Sequence, residues 1–178
     1  MNRPKSVSRD AGFTMIELLV VLLVALVLMT LSAPELLKYY IRSQLEGVAR
    51  QTSFILQKAR FEAIKNSQQM EVCANTTDKV VTGLGQTIEL PDSVSFEAPS
   101  SEPPITVPDD CFTFLSDGSV KETGAFRFAD VRGNFLEVDV APKATARVQV
   151  RKWDETVNKW YTRDQGGKAW EWKTGNLL

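Results

Sequence analysis

Histidine is absent from all 178 residues. Its absence excludes serine- and cysteine-based triads that need an imidazole, histidine general bases, and most zinc sites. Cysteine occurs only at Cys73 and Cys111, which leaves room for one disulfide or for two buried thiols. No P-loop is present, and Gly83-Leu84-Gly85 is too short to be a nucleotide-binding loop. No clustered metal ligands occur, and Asp109-Asp110 reads as a solvated loop rather than a cation site. Glycine and proline are missing from the long apolar run until Pro34. No repeat and no second domain are visible. The formal net charge is only −1. Together these absences predict a chain that is not an enzyme and that holds no cofactor.

Near the N-terminus a charged, polar leader, Met1 to Gly12, meets Gly12-Phe13-Thr14-Met15-Ile16-Glu17. From Leu18 to Met29 every residue is apolar, and the apolar character extends from Phe13 to Ala33 apart from Thr14, Glu17, Thr30 and Ser32. A helix needs about 20 such residues to cross a bilayer, so the length fits one span. Arg3, Lys5 and Arg9 precede it, which by the positive-inside rule keeps the leader cytoplasmic and sends the bulk of the chain outside. Glu17 is the anomaly, because an acidic residue in hydrocarbon costs roughly 2.5–3.5 kcal/mol. Either it reaches the headgroups or takes a proton, or it awaits a cation. An ordinary secretory signal would end at a small-residue cleavage site, and Thr30-Leu31-Ser32 before Pro34 is a poor one. A lipoprotein signal would need a cysteine after the apolar run, and none is there.

The junction resembles the N-terminus of type IV prepilins and pseudopilins. The resemblance implies cleavage between Gly12 and Phe13 by a prepilin peptidase, N-methylation of Phe13, and an assembly salt bridge between Glu17 and the Phe13 amine of a neighbouring subunit. In that family a proline at the position of Pro34 kinks a long helix without ending it. Two internal strings, Leu56 to Lys65 followed by Met70-Glu71-Val72, and Phe112 to Ser119, resemble the H-type minor pseudopilins and related minor pilins. The implied fold is α+β: a long kinked N-terminal helix, its first half transmembrane, packed on a C-terminal antiparallel β-sandwich-like domain. The implied organisation is a leader at 1–12, a transmembrane and assembly half-helix at 13–34, and a periplasmic globular domain at 35–178. The implied role is a minor subunit that helps to initiate or cap a type IV pilus or a type II secretion pseudopilus, near its tip. Its partners would be other minor pilins or pseudopilins, the major subunit, the peptidase and the inner-membrane assembly platform. The protein would lie in the inner membrane as a single-pass chain before assembly.

About 145 residues follow Ala33, enough for one globular domain with its own core. Glu35 to Lys65 is rich in helix formers. Ile41, Leu45, Val48, Thr52, Ile55, Ala59 and Ala63 recur at three- or four-residue steps as an apolar stripe. Phe13 to Lys65 as one kinked helix would be about 80 Å long, with Asn66-Ser67 ending it. Strands are expected at Met70–Ala74, Thr87–Leu90, Val94–Glu97, Cys111–Leu115, Ala125–Ala129, Phe135–Val140 and Ala146–Trp153. Asp117-Gly118, Arg132-Gly133-Asn134 and Gly166-Gly167 are turn signals. Pro99 to Asp110 reads as an exposed loop. In the oxidising compartment beyond a bacterial inner membrane, Cys73 and Cys111 read as one structural disulfide.

Charge is uneven. Cys73 to Pro142 holds four Lys/Arg against twelve Asp/Glu, and Lys143 to Leu178 holds eight against four. All four tryptophans, Trp153, Trp160, Trp170 and Trp172, lie in that last stretch. Arg151, Lys152, Lys159, Trp160, Arg163, Lys168 and Trp170 form a basic and aromatic set that suits DNA or a protein partner. A C-terminal hairpin with cross-strand aromatic pairs, or a subunit interface, accounts for the same residues. That is the preferred reading, and a DNA-binding tip subunit acting in natural transformation is the alternative.

Overall fold

Helix α1 runs from Met15 to Asn66 in a computed structural model that describes residues 13–100, 102–164 and 172, with the backbone alone at 31–34. At its start the Thr14 hydroxyl accepts the Glu17 N–H at 3.3 Å, an N-cap. At its end Ser67 turns to φ 51°. The Gln68 N–H then donates to the Ala63 carbonyl at 3.2 Å and the Ser67 N–H to Ile64 at 3.3 Å. This double closure satisfies the last carbonyls of the helix.

The chain divides into two units between Lys38 and Tyr39. In the first, every large apolar side chain from Phe13 to Met29 is at least 50% exposed. No single helix among the described residues is long and apolar enough to cross a membrane, but Met15–Thr30 and Glu35–Asn66 meet that condition together. The break between them covers residues 31–34, where the sequence places Pro34. The Pro34 ring lies outside the described side chains.

The second unit holds the core. Leu45, Val48, Thr52, Ile55, Ala59 and Ala63 are buried as the stripe requires, and Ala49, Ser53 and Leu56 widen it. Ala59 and Ala63 are fully buried, and their small side chains let the helix backbone lie close to the sheets. A flank of the helix carries ion pairs: Glu46 meets both Arg42 and Arg50 at 3.0 Å.

Among the described residues nine strands form two antiparallel sheets. One contains β1 (Met70–Asn75), β2 (Val80–Gly83), β3 (Gln86–Glu89) and β5 (Cys111–Phe114), in the order β3-β2-β1-β5. The other contains β4 (Val94–Ser95), β6 (Gly124–Asp130), β7 (Phe135–Val140), β8 (Val148–Asp154) and β9 (Lys159–Thr162), in the order β4-β6-β7-β8-β9. The expected α+β architecture is therefore present. Phe112 of β5 meets Phe126 of β6 at 4.8 Å between ring centroids, and Phe96 meets Phe128 at 5.2 Å. The first contact joins the two sheets, the second packs the end of β4 on β6 within one sheet, and all four rings belong to one core with α1.

Several expectations need correction. β2 (Val80–Gly83) is a strand where the sequence predicts none. It forms a hairpin with β3 across Leu84 and Gly85, both at positive φ (52° and 71°), the backbone of a two-residue turn that matches strand twist. Gly83-Leu84-Gly85 is that turn. The stretch from Pro99 to Asp110 is not wholly exposed: Ile105 and Val107 are buried, and Ile105 bridges Phe126. Prolines on both sides hid a short edge segment that pairs on one side only. β8 begins at Val148 rather than Ala146, because the Ala146 N–H turns back to the Pro142 carbonyl at 2.9 Å. Gly166-Gly167 lies outside the described residues.

Candidate functional site

The N-terminal site is built on the first turn of α1. Thr14-Met15-Ile16-Glu17 has the spacing of a capping box, and the backbone half of it is formed at Thr14. Glu17 is exposed, and Phe13 is 77% exposed beside it. A carboxylate in a first turn also interacts favourably with the helix dipole. Glu17 therefore has a local role in starting the helix. Gly12, on the other side of the expected cut, lies outside the described residues. Sequence reasoning missed Thr14, although the T-x-x-E spacing was enough to find it.

Cys73 and Cys111 are bonded and directly opposite each other on β1 and β5. The bond closes a segment with a sequence separation of 38, which contains the acidic and proline-rich stretch.

The basic and aromatic set divides between two faces of one sheet. Adjacent residues of a strand point to opposite sides, so Arg151 and Lys152 of β8 cannot line one groove. Arg151 is on the outer face with Arg127 of β6 and Glu137 of β7. Arg127 Nε donates to Glu137 Oε2 at 3.0 Å, and Arg151 Nη2 lies 2.7 Å from Glu137 Oε1 and 3.0 Å from Asp139. Glu102 approaches Arg127 at 2.8 Å. Glu137 is fully buried. Burial pushes its carboxyl above the usual range, against the pull of Arg151 and Arg127. Asp139 is raised for the same first cause, burial. Trp160 of β9 stacks edge-on against Trp153 of β8 at 5.2 Å, and the Arg127 guanidinium sits 5.4 Å from its ring. The aromatic cross-strand pair expected of a C-terminal hairpin is formed.

Lys152 is on the inner face and only 5% exposed. Its ammonium lies 5.2 Å from the Trp172 ring, and Arg42 of α1 lies 4.6 Å from the same ring. Trp172 thus joins α1 to β8 through two cation–π contacts. Lys159 and Arg163 are exposed, and Lys168 and Trp170 lie outside the described residues. The geometry places Arg151 and Trp160 on one face of the sheet and Lys152 on the other. Arg127, Glu137, Asp139 and Arg42 were not anticipated. Their alternation in Phe126-Arg127-Phe128 and Leu136-Glu137-Val138-Asp139 signalled one outward face, but only strand register shows that they meet. Among the described residues no group of His, Cys, Asp and Glu is placed to hold a metal ion.

No curated protein matches the chain. Among solved structures, similarity is found to the minor pseudopilin EpsH of the Vibrio cholerae Type 2 Secretion System, at 15% identity and a TM-score of 0.47 over 59% of this chain and 95% of that one. It is also found to the type IV minor pilin FimU of Pseudomonas aeruginosa strain PAO1, at 15% identity and a TM-score of 0.45 over 63% and 91%. Residues 7–33 match the family described as the Prokaryotic N-terminal methylation motif. The chain carries that motif across Gly12, Phe13 and Glu17, the residues on which its resemblance to type IV pilin-like proteins rests.

Proposed function

We propose that the chain is a non-enzymatic minor pilin or pseudopilin subunit that helps to initiate or cap a type IV pilus or a type II secretion pseudopilus. The observation that carries this reading is the methylation motif in register with an apolar helix whose large side chains from Phe13 to Met29 are uncovered. Such a surface needs lipid before assembly and the helices of other subunits after it. Cleavage after Gly12 would put the Phe13 amine about one turn from Glu17, at the same end of the apolar layer. The Phe13 amine of one subunit then pairs with Glu17 of the next. The leader is removed by a prepilin peptidase, the helix is held in the inner membrane, and the domain from Tyr39 onward lies on the far side. The assembly platform and the other pilins are its working partners.

The DNA-binding alternative loses support from the ion pairs of Arg151 with Glu137 and Asp139 and from the inward placement of Lys152. Glu17→Ala tests the assembly reading. Membrane insertion is expected to persist, because a carboxylate leaves the apolar run. Recovery of the protein with its co-expressed minor subunits is expected to fall. Undiminished co-purification of the variant would refute the pairing.

A further inference from the structure

The turn between β6 and β7 is held by one buried carboxylate. Asp130 Oδ1 accepts the Arg132 and Asn134 N–H groups, both at 2.9 Å, and Oδ2 accepts the Asn134 side-chain amide at 2.8 Å. Gly133, at φ 73°, closes the turn by donating to the Asp130 carbonyl at 3.0 Å. Asp130 is only 5% exposed, so its charge is spent inside the turn. What this fixed turn presents outward is Val131, 61% exposed, with Arg132 next to it. Arg132 is half-buried, and its Nε and Nη2 have no hydrogen-bond partner among the described residues. A lone exposed valine needs no explanation. A valine beside an unsatisfied guanidinium is a different feature, because N–H groups shielded from water and left without acceptors cost free energy. An anion brought to Arg132 removes that cost.

The place of the turn in the fold says which anion is near. The Val131 N–H donates to the Ser93 carbonyl at 3.2 Å, and the Ser93 hydroxyl hydrogen-bonds the Gln44 amide oxygen. The turn is thereby tied to α1 at residue 44. Tyr39 and Tyr40, 71% and 59% exposed, precede that point by about 6–8 Å of helix. Tyr39 follows Ala33, the end of the apolar run, by six residues. Between them Glu35 and Lys38 pair at 2.8 Å and leave no net charge. Tyrosine is enriched where a span leaves the hydrocarbon, with its ring among the headgroups. Phe61, also exposed, stands about 25 Å beyond Gln44 along the helix.

We propose that the Val131–Arg132 turn rests on the lipid headgroup layer before assembly, with Arg132 on a lipid phosphate. The inference rests on the membrane-anchored reading of the apolar run and adds a second point of attachment to it. A planar guanidinium donates two parallel N–H groups to a phosphate, and Val131 enters the boundary between headgroups and acyl chains. A span alone leaves the domain free to turn about the helix axis. The second contact sets which face is held against the bilayer and which stand free. One arginine and one valine make a contact weak enough to be given up when the subunit leaves the membrane.

The test uses the full chain reconstituted in vesicles of phosphatidylethanolamine and phosphatidylglycerol. A photo-crosslinking phenylalanine analogue replaces Leu26, Phe61 or Val131 in turn, and peptide mass mapping reads the lipid adducts. Adducts are expected at positions 26 and 131 and not at 61. Arg132→Gln should lower the yield at 131 about fivefold and leave that at 26 unchanged, whereas Arg132→Lys should keep part of it. An adduct at 26 with none at 131, equal adducts at 131 and 61, a protein crosslinked at 131 in place of lipid, or a yield indifferent to Arg132→Gln would overturn the proposal. Where Arg132→Gln fails to fold, the comparison of 131 with 61 in the chain that keeps Arg132 decides. No adduct at 26 would refute the membrane-anchored reading itself.

Discussion

Replacing Trp160 by alanine separates a packed hairpin from a nucleic-acid groove. In the structure its ring meets Trp153 edge-on at 5.2 Å and lies 5.4 Å from the Arg127 guanidinium. An aromatic pair of this kind contributes about 0.5–1.5 kcal/mol beyond area burial. A cation–π contact adds about 0.5–1 kcal/mol at an exposed site and about 2 when desolvated. Arg127 has a side chain only 12% exposed, so the larger figure applies. The loss is then about 2.5–3.5 kcal/mol. For a domain of roughly 140 residues this lowers the melting temperature by about 8–12 °C. Thermal unfolding of the domain from Tyr39 onward, followed by near- and far-ultraviolet circular dichroism, measures it. Trp160→Phe should recover part of the loss. An unchanged melting temperature for Trp160→Ala, together with lost binding of single-stranded DNA, would refute the packing account.

Three further outcomes are expected. Arg151→Glu should destabilise the domain by about 3–5 kcal/mol in chemical denaturation, because it removes a partner from buried Glu137 and adds a like charge beside Asp139; a surface-like change below about 0.5 kcal/mol would contradict this. Glu137 has its folded pKa raised above the ordinary 4.5 by burial, so the native state binds more protons there and stability should fall as pH rises through the window above 4.5. Glu137→Gln should flatten that fall, leaving the part due to Asp139, and an identical pH profile would count against it. Reduction of the Cys73–Cys111 bond should cost about 4 kcal/mol in the chain-entropy model, read as a lower denaturation midpoint, and equal midpoints with and without reductant would contradict a stapling role.

The helix was legible because its signals are local. The three- and four-residue steps from Leu45 to Ala63 fix which face is buried whatever packs against it. Strands with strict alternation, such as Phe126/Phe128 and Val138/Val140, were legible for the same reason. β2 was not, because Val80-Val81-Thr82-Gly83 is too short to alternate and its pairing depends on a turn through Leu84, a residue that rarely adopts positive φ. The charged network was hidden for a different cause. Arg127, Glu137 and Arg151 come from three strands, and only the register of β6, β7 and β8 places them in one row. The basic residues of the C-terminal stretch looked like one surface in the sequence. Strand pleating divides Arg151 from Lys152, and Trp172 reaches back to α1.

The mature N-terminus tests the account most directly. Intact mass and N-terminal sequencing of the membrane-extracted protein should show a chain that begins at Phe13, lacks residues 1–12 and carries one methyl group on its amine. The apolar segment through Ala33 should remain attached. A mature chain that begins near Ala33, or one that retains Met1 when the prepilin peptidase is present, would contradict it.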